Sequence, residues 1–272
     1  MSSKLPFIPS ISDYSDIRKM MEEDLAYRKR ERKFKTSLGR PLYYRINIQI
    51  ITTQECPYSC PFCIERMNPM SGNNNFPEQL RSLEKVLEEH PSARLTITGG
   101  EPTLYPEHIM DIEKMYISKS ENTFSSINTA GYNLSFPYKS KINLSYNDFV
   151  HESPVEGCTL QTVLPDQSMR LEYLKKFMEQ HASVERFSFR YLSDLIRHDY
   201  DISILNELRS DSEIEVCTFR VGDFFMYVTF NWKGKHARIT LGDMYQQRSN
   251  DYEDGYSNII IHPDGRVGVN WK

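Results

Sequence analysis

The sequence predicts an α/β protein in which a parallel sheet is followed by a small antiparallel β region. Between residues 43 and 208, apolar strand-like runs alternate with amphipathic helices, as in repeated βα units. From residue 213 onward, strand-like runs follow one another with turns between them. We therefore expect an N-terminal helical extension at 1–40, a main α/β domain at 41–210 and a C-terminal β-rich cap at 211–272.

The main domain contains six predicted strands. They cover residues 43–51, 94–98, 124–128, 141–146, 158–164 and 184–191. Helices are expected where apolar residues recur at helical spacing, at 77–90, 106–118, 168–180 and 202–208. Because ligands of parallel α/β folds bind at the carboxyl ends of the strands, the loops that follow the strands should carry the site.

The two flanking regions are predicted from local signals. Capping residues near Ser12 begin a helix that runs to about residue 35 and includes the basic run 28–33. That run is typical of a solvated helix end, and a contact for an acidic peptide or a phosphorylated substrate is the alternative. In the C-terminal cap, strands are expected at 213–221, 223–230, 236–241, 258–262 and 267–271, the last two joined by a Pro-Asp-Gly turn.

Composition excludes several classes of protein. The 272 residues carry a formal net charge of −4, which predicts no general affinity for nucleic acid. No apolar run reaches the length of a membrane helix, and the first residues form no apolar signal region. Five cysteines without a signal region argue against disulfides, so a cytoplasmic, reducing location is expected.

Three cysteines, Cys56, Cys60 and Cys63, follow the first predicted strand at C-x3-C-x2-C spacing; we call residues 56–63 the cysteine loop. A cubic iron–sulfur cluster normally takes four thiolates, so three leave one iron open for a ligand. A structural zinc site is the alternative, but it needs a fourth Cys or His, and no histidine lies at finger spacing. Cys158 and Cys217 alone do not normally supply a further cluster, so the chain is expected to hold a single cluster.

A second motif, Gly99-Gly100-Glu101-Pro102, follows the second predicted strand; we call residues 99–102 the glycine turn. Two glycines permit a backbone shape in which carbonyl groups face a ligand's ammonium group, with Glu101 adding negative charge. An ordinary strand-to-helix turn is the alternative interpretation.

Together and in this order, the two motifs resemble those of the radical S-adenosylmethionine (SAM) superfamily, and a weaker resemblance extends over about residues 44–192. The group that makes molybdenum cofactor or modifies peptides is the most similar, although its auxiliary-cluster cysteines are missing here. The resemblance implies an open, partial (β/α)6 TIM-type barrel. It also implies one [4Fe–4S] cluster, bound by Cys56, Cys60 and Cys63, and SAM as cofactors.

The resemblance further implies a set of contacts to SAM. Phe62 should lie near the adenine, and the glycine turn should meet the methionyl ammonium. The other candidate contacts lie late in predicted strands: Asn128, Asn143, Ser145, Val163 and Arg190. For each of these, strand-end polarity or core packing is the alternative, and Arg190 is also a candidate for binding a carboxylate or phosphate. Cys217 is a candidate hydrogen-atom donor, with a buried structural cysteine as the alternative.

Three functions follow as hypotheses. The first, implied by the resemblance, is reductive cleavage of SAM to a 5′-deoxyadenosyl radical, which abstracts a hydrogen atom from a peptide or small metabolite. Flavodoxin or ferredoxin would supply the electron. The second is the same chemistry on a nucleotide or sugar phosphate. The third is a non-enzymatic, redox-sensing iron–sulfur or zinc module. The glycine turn argues against it, because such a module does not require a cofactor-binding turn.

Overall fold

The structure of the chain is a computed structural model. It describes residues 8–31, 46–63, 73–148, 150, 152–192, 199–222, 224–243 and 258–269, with the backbone alone for 27–31. The chain divides into two compact units. The cysteine-loop unit comprises residues 44–158 and 255–272, and the meander unit comprises residues 1–43 and 159–254.

Helices and strands alternate through most of the chain. The helices are α1 (Tyr14–Glu31), α2 (Phe76–Glu89), α3 (Pro106–Lys119), α4 (Leu171–Gln180) and α5 (Ile204–Ser210). The first six strands are β1 (Asn47–Ile51), β2 (Arg94–Thr98), β3 (Ser125–Thr129), β4 (Lys141–Ser145), β5 (Thr159–Leu164) and β6 (Arg186–Tyr191). The others are β7 (Glu215–Val221), β8 (Phe225–Trp232), β9 (Lys235–Gly242), β10 (Asn258–Ile261) and β11 (Val267–Gly268).

In the cysteine-loop unit the strands lie in the order β11-β10-β1-β2-β3-β4. All neighbours are parallel except β10 and β11, which form an antiparallel hairpin. One face of this sheet packs on α2 and α3 through a buried apolar cluster that includes Ile50, Leu83, Ile97, Ile112 and Ile127. Because side chains alternate along a strand, the other face carries polar residues such as Asn47, Thr96 and Asn128.

In the meander unit the strands lie in the order β5-β6-β9-β8-β7. β5, β6 and β9 are parallel, and β9, β8 and β7 form an antiparallel meander. Residues Phe189, Val228 and Ile239 point to a fully buried face. The opposite face is polar and partly or fully exposed, and it includes Ser188, Arg190, Tyr227, Arg238 and Thr240.

The predicted α/β class is confirmed, and the bounds of β2 agree with the sequence prediction. The two compact units are divided along the chain at residues 43/44, 158/159 and 254/255. β10 pairs in parallel with β1, so the last hairpin extends the first sheet rather than the meander. In the meander unit, the buried hydroxyl of Tyr14 on α1 donates a hydrogen bond to Asp243. Sequence periodicity carries no information on such pairings between distant residues.

One predicted feature lies largely outside the described residues. The side chains of the basic run 28–33 are not described. Within the described ranges, every helix is too short or too polar to span a membrane.

Candidate functional site

The cysteine loop begins six residues after Ile50 and lies at the carboxyl end of β1, as predicted. All three of its cysteines are free thiols; Cys56 is exposed, and Cys60 and Cys63 are partly exposed. The amide of Cys63 donates a 3.3 Å hydrogen bond to the carbonyl oxygen of Cys60, which closes a tight turn around Phe62. The loop thus presents its thiols at the surface of the unit rather than in its core.

The segment that leads into the cysteine loop is hydrogen-bonded to the glycine turn. The amide of Thr52 donates to the carbonyl oxygen of Thr98 at 2.9 Å. The amides of Gly100 and Glu101 donate to the carbonyl oxygens of Thr53 and Glu55, each at 2.7 Å. The pairing of β1 with β2 therefore continues past the ends of both strands, and it fixes the two motifs against each other.

This close backbone approach explains the two glycines. Gly99 has a φ of +145°, a region that residues with a side chain rarely adopt. A Cβ atom on Gly100 would lie 2.2 Å from the carbonyl oxygen of Glu55. The sequence interpretation gave the glycines the role of turning carbonyl groups toward a ligand; the structure adds that they let the turn contact residues 53–55.

The carboxylate of Glu101 is fully buried and accepts four hydrogen bonds. The amide and hydroxyl of Thr103 donate at 2.9 and 2.5 Å, the hydroxyl of Thr129 donates at 2.5 Å, and the amide of Ala130 donates at 2.6 Å. Sequence analysis predicts that this charge faces a ligand's ammonium group. The structure shows that the carboxylate also ties the glycine turn to the end of β3.

Residues that sequence analysis did not single out support the cysteine loop. The hydroxyl of Tyr58 donates to Glu152 at 3.1 Å, and the hydroxyl of Tyr105 donates to Glu55 at 2.7 Å. Partial burial and the Glu152 carboxylate raise the pKa of Tyr58 to about 12, so it stays a donor at neutral pH. Of these residues, only Tyr58 has a sequence signal, namely its place between two of the cysteines.

The electrostatics of the loop favour a protonated Cys56 thiol in the absence of a metal. The pKa of Cys56 is raised, chiefly because surrounding protein displaces water, and further by the nearby Glu101, Cys63 and Cys60. Iron binds the thiolate and would reverse this preference, since metal binding releases the proton.

Two of the predicted strand-end contacts meet directly. Asn128 and Asn143 are register partners on β3 and β4, and the amide of Asn143 donates to the Oδ1 atom of Asn128 at 2.9 Å. Ser145 lies two residues further along β4, on the same polar face. All three are partly exposed, so each retains access to a ligand at this end of the sheet.

The remaining predicted residues belong to the meander unit. Val163 and Arg190 are register partners on β5 and β6, on the polar face. Cys217 is the extra residue of a β-bulge on β7, because Val216 and Thr218 pair with consecutive residues of β8. It is partly exposed, whereas Cys158 is buried.

The donor set fits an iron–sulfur cluster. Three free thiols lie in one loop and interact electrostatically, and thiolates are the ligands that such clusters require. Within the described part of the chain, no three His, Cys, Asp or Glu side chains are placed to hold a metal ion as they stand. Cys56, Cys60 and Cys63 are the residues that would hold the cluster.

Comparison with known proteins agrees with this site. Residues 50–151, which include both motifs, match the family model of the radical SAM superfamily. The chain is 36% identical over 77 residues to a probable GTP 3′,8-cyclase of Thermococcus kodakarensis, an alignment that covers 28% of this chain and 24% of that protein. The chain thus spans about a quarter of the length of this curated relative.

Two solved structures are also similar. SuiB of Streptococcus suis, solved bound to its precursor peptide SuiA, shares 16% identity with a TM-score of 0.50, over 98% of this chain and 67% of that protein. The enzyme anSMEcpe, solved with bound SAM, shares 16% identity with a TM-score of 0.43, over 56% of this chain and 53% of that protein. At such identity, the SuiB match establishes the fold alone.

The fold and the site together define a class of α/β protein with a three-cysteine cluster loop hydrogen-bonded to a glycine turn. It is over residues 50–151, which carry both motifs, that the chain matches the radical SAM superfamily. A [4Fe–4S] cluster and SAM are the cofactors of this superfamily, which confirms the prediction made from the two motifs.

Proposed function

We propose that the chain is a radical SAM enzyme that abstracts a hydrogen atom from a peptide substrate. The observation that carries this proposal is the hydrogen-bonded junction between residues 53–55 and the glycine turn. It joins a three-thiol loop to a cofactor-binding motif, an arrangement that a metal-binding sensor does not need. When bound, the cluster and SAM would supply a carbon-centred radical strong enough to attack an unactivated C–H bond.

The residues of the chain have separate tasks in this proposal. Cys56, Cys60 and Cys63 hold the cluster and leave one iron open. The glycine turn and Phe62 hold the ammonium and adenine groups of SAM, and Asn128, Asn143 and Ser145 contact its ribose or carboxylate. In support of these assignments, Asn128, Asn143 and Ser145 lie on one accessible sheet face.

A peptide is preferred as the substrate for two reasons. SuiB, which shares this fold, is bound to a precursor peptide in its crystal structure. The meander also ends at β7, and within the described residues β8 is the sole strand paired with it. An extended peptide binds such an edge through main-chain hydrogen bonds.

Cys217 has a place in this proposal as a hydrogen-atom donor. Its bulge turns one residue of β7 out of the regular pairing, and bulges often redirect a side chain near an active site. Partial burial, with Glu215 nearby, raises the pKa of its thiol, so the S–H hydrogen is retained at neutral pH. In deuterium oxide, the product of the wild-type enzyme should gain deuterium at the attacked carbon, and that of Cys217→Ala should not.

The second candidate function is the same chemistry on a nucleotide or sugar phosphate. The specific observation in its favour is the local identity with a probable GTP 3′,8-cyclase. Substrates deuterated at the attacked position separate the two candidates, because deuterium appears in 5′-deoxyadenosine only with the correct substrate class.

The decisive experiment is anaerobic reconstitution followed by electron paramagnetic resonance of the reduced protein with and without SAM. About four irons per chain are expected, with a spectrum that changes when SAM is added. Flavodoxin or ferredoxin should then support formation of 5′-deoxyadenosine, in keeping with a cytoplasmic, reducing setting. Bound zinc, or a cluster whose spectrum ignores SAM, would instead favour a redox-sensing module.

A further inference from the structure

The polar face of the meander unit carries two arginines side by side. Arg190 lies on β6 opposite Thr240 of β9, and Arg238 lies two residues earlier on β9 opposite Ser188. In parallel neighbouring strands, this offset places the two side chains on one face at diagonal positions. Both residues are exposed to solvent.

Neither guanidinium has an anionic partner within the described residues. The ion pairs of the described chain include Arg170, Lys175 and Lys233 in this unit, but not Arg190 or Arg238. Among the described residues, the Arg238 guanidinium lies over the ring of Tyr227, whose centroid is 4.4 Å from its Cζ atom. This cation–π contact orients the guanidinium without neutralising its charge.

The surroundings of Arg190 oppose its positive charge. Its pKa is lowered to about 10, first because surrounding protein displaces water and then because Arg238 repels it. The pKa of Arg238 is also lowered by desolvation. Two cations that lie side by side on one exposed face, with no acidic partner among the described residues, favour an anion between them.

We propose that Arg190 and Arg238 form an oxyanion site that binds a carboxylate or phosphate group of the substrate. Arginine is suited to this role because its planar donors match the geometry of both groups. The hydroxyls of Ser188 and Thr240 lie beside the arginines on the same face and offer further donors. That the bound anion belongs to the substrate rests on the proposed function, whereas the presence of an anion site does not.

This assignment differs from a role of Arg190 in holding the cofactor. SAM also carries a carboxylate, so a single arginine fits either role. The pairing with Arg238, which lies on the meander and outside the stretch that matches the family model, favours a group specific to this chain.

The test uses the reconstituted, anaerobic wild-type protein and two probes, inorganic phosphate and glutarate, against chloride at equal ionic strength. Binding is followed by calorimetry and by protection of individual arginines from phenylglyoxal, read by mass spectrometry. Saturable binding should protect Arg190 and Arg238 together, while Arg81, exposed on α2, stays reactive. Tighter binding of phosphate would indicate a phosphorylated group, and tighter binding of glutarate an acidic side chain or chain terminus.

Variants then separate the possible outcomes. Arg190→Gln and Arg238→Gln should each weaken the preferred probe about 10- to 100-fold, as expected for a lost charged hydrogen bond. Arg81→Gln, which removes the same charge elsewhere, should not. The affinity for SAM should be unchanged in Arg190→Gln and in Arg238→Gln. Equal protection of Arg81, no saturable binding, or a parallel loss of SAM affinity would overturn the proposal.

The proposed function is judged on a different readout. Substrate-free cleavage of SAM is measured on the wild type and on Arg81→Gln, and it should proceed in both. If the wild type binds the anion but does not cleave SAM, the enzymatic function is refuted and the oxyanion site is still supported.

Discussion

The backbone amide of Glu101 donates a 2.7 Å hydrogen bond to the carbonyl oxygen of Glu55, the residue immediately before Cys56. A residue of the glycine turn thereby sets the position at which the cysteine loop begins. Because Glu101 is itself held by four hydrogen bonds to its carboxylate, the junction extends from β1 through β2 to the end of β3. The position of the cysteine loop in this chain thus depends on backbone contacts to the glycine turn.

Gly100→Ala should damage this junction. The new methyl group would lie 2.2 Å from the carbonyl oxygen of Glu55, so the turn must move. We expect a loss of about 2–3 kcal/mol in the free energy of unfolding, as for an overpacked site, and a cluster that is lost on desalting. Denaturant unfolding and iron analysis measure the two effects.

Gly234→Ala is the matched control for Gly100→Ala. Gly234 has a φ of +76° but open space around its Cα, so the substitution adds backbone strain of about 1 kcal/mol without a clash. It should leave the iron content unchanged. Equal iron content in the two variants would show that the junction does not support the cluster.

The five cysteines should separate into two groups by iron content. Alanine at Cys56, Cys60 or Cys63 removes a cluster ligand, and each variant should retain less than about one iron per chain after reconstitution. Alanine at Cys158 or Cys217 should leave about four irons, since neither belongs to the loop. Colorimetric iron and sulfide assays decide this, and a loss of iron in Cys217→Ala would argue for a different ligand set.

Glu101→Gln tests whether the buried carboxylate is structural. Glutamine replaces one acceptor oxygen by a donor group that faces existing donors, so we expect a destabilisation of about 1–3 kcal/mol. Glu113→Gln is the matched control, because that buried carboxylate accepts hydrogen bonds from the amides of Lys139 and Ser140 in the same unit. Both variants should lose stability, and only Glu101→Gln should also lose SAM affinity. Full stability of Glu101→Gln with lost SAM affinity would show that the carboxylate contacts SAM directly.

The sequence was informative where the signal is local. The strand at Arg94–Thr98 and the helix at Pro106–Lys119 were predicted to within one residue, because their apolar spacing and Pro106 are local features. The cysteine loop and the glycine turn were found for the same reason. Each motif directly follows a strand, which places it at the carboxyl end of the sheet.

Long-range relationships were missed. The pairing of β10 with β1 joins Asn258 to Asn47, and nothing in either segment specifies the other as its partner. The four donors to Glu101 include Thr129 and Ala130, which lie on a different strand end. Arg238 was not singled out because its significance comes from Arg190 beside it, and their neighbouring strands are brought together only by the fold.

The ion pair between Arg170 and Asp201 should make the stability of the chain depend on acidic pH. The two side chains are 2.6 Å apart, and Arg170 also contacts the hydroxyl of Ser203. The hydrogen bond from Arg170 is the largest cause that lowers the pKa of Asp201 to about 2. A carboxylate whose pKa is lowered by folding stabilises the protein above its unfolded pKa of about 4, and this contribution is lost as the pH falls toward 2.

Arg170→Gln should therefore cost about 1 kcal/mol in the free energy of unfolding at pH 7, an amount limited by the partial exposure of both partners. The difference from wild type should stay constant between about pH 7 and pH 5 and shrink below about pH 4, where Asp201 becomes protonated in the unfolded chain. Urea unfolding over this range measures it. Lys233→Gln, which removes a more exposed pair with Glu179, should cost less at every pH. A difference for Arg170→Gln that grows on acidification would mean that another group controls the acid stability of this unit.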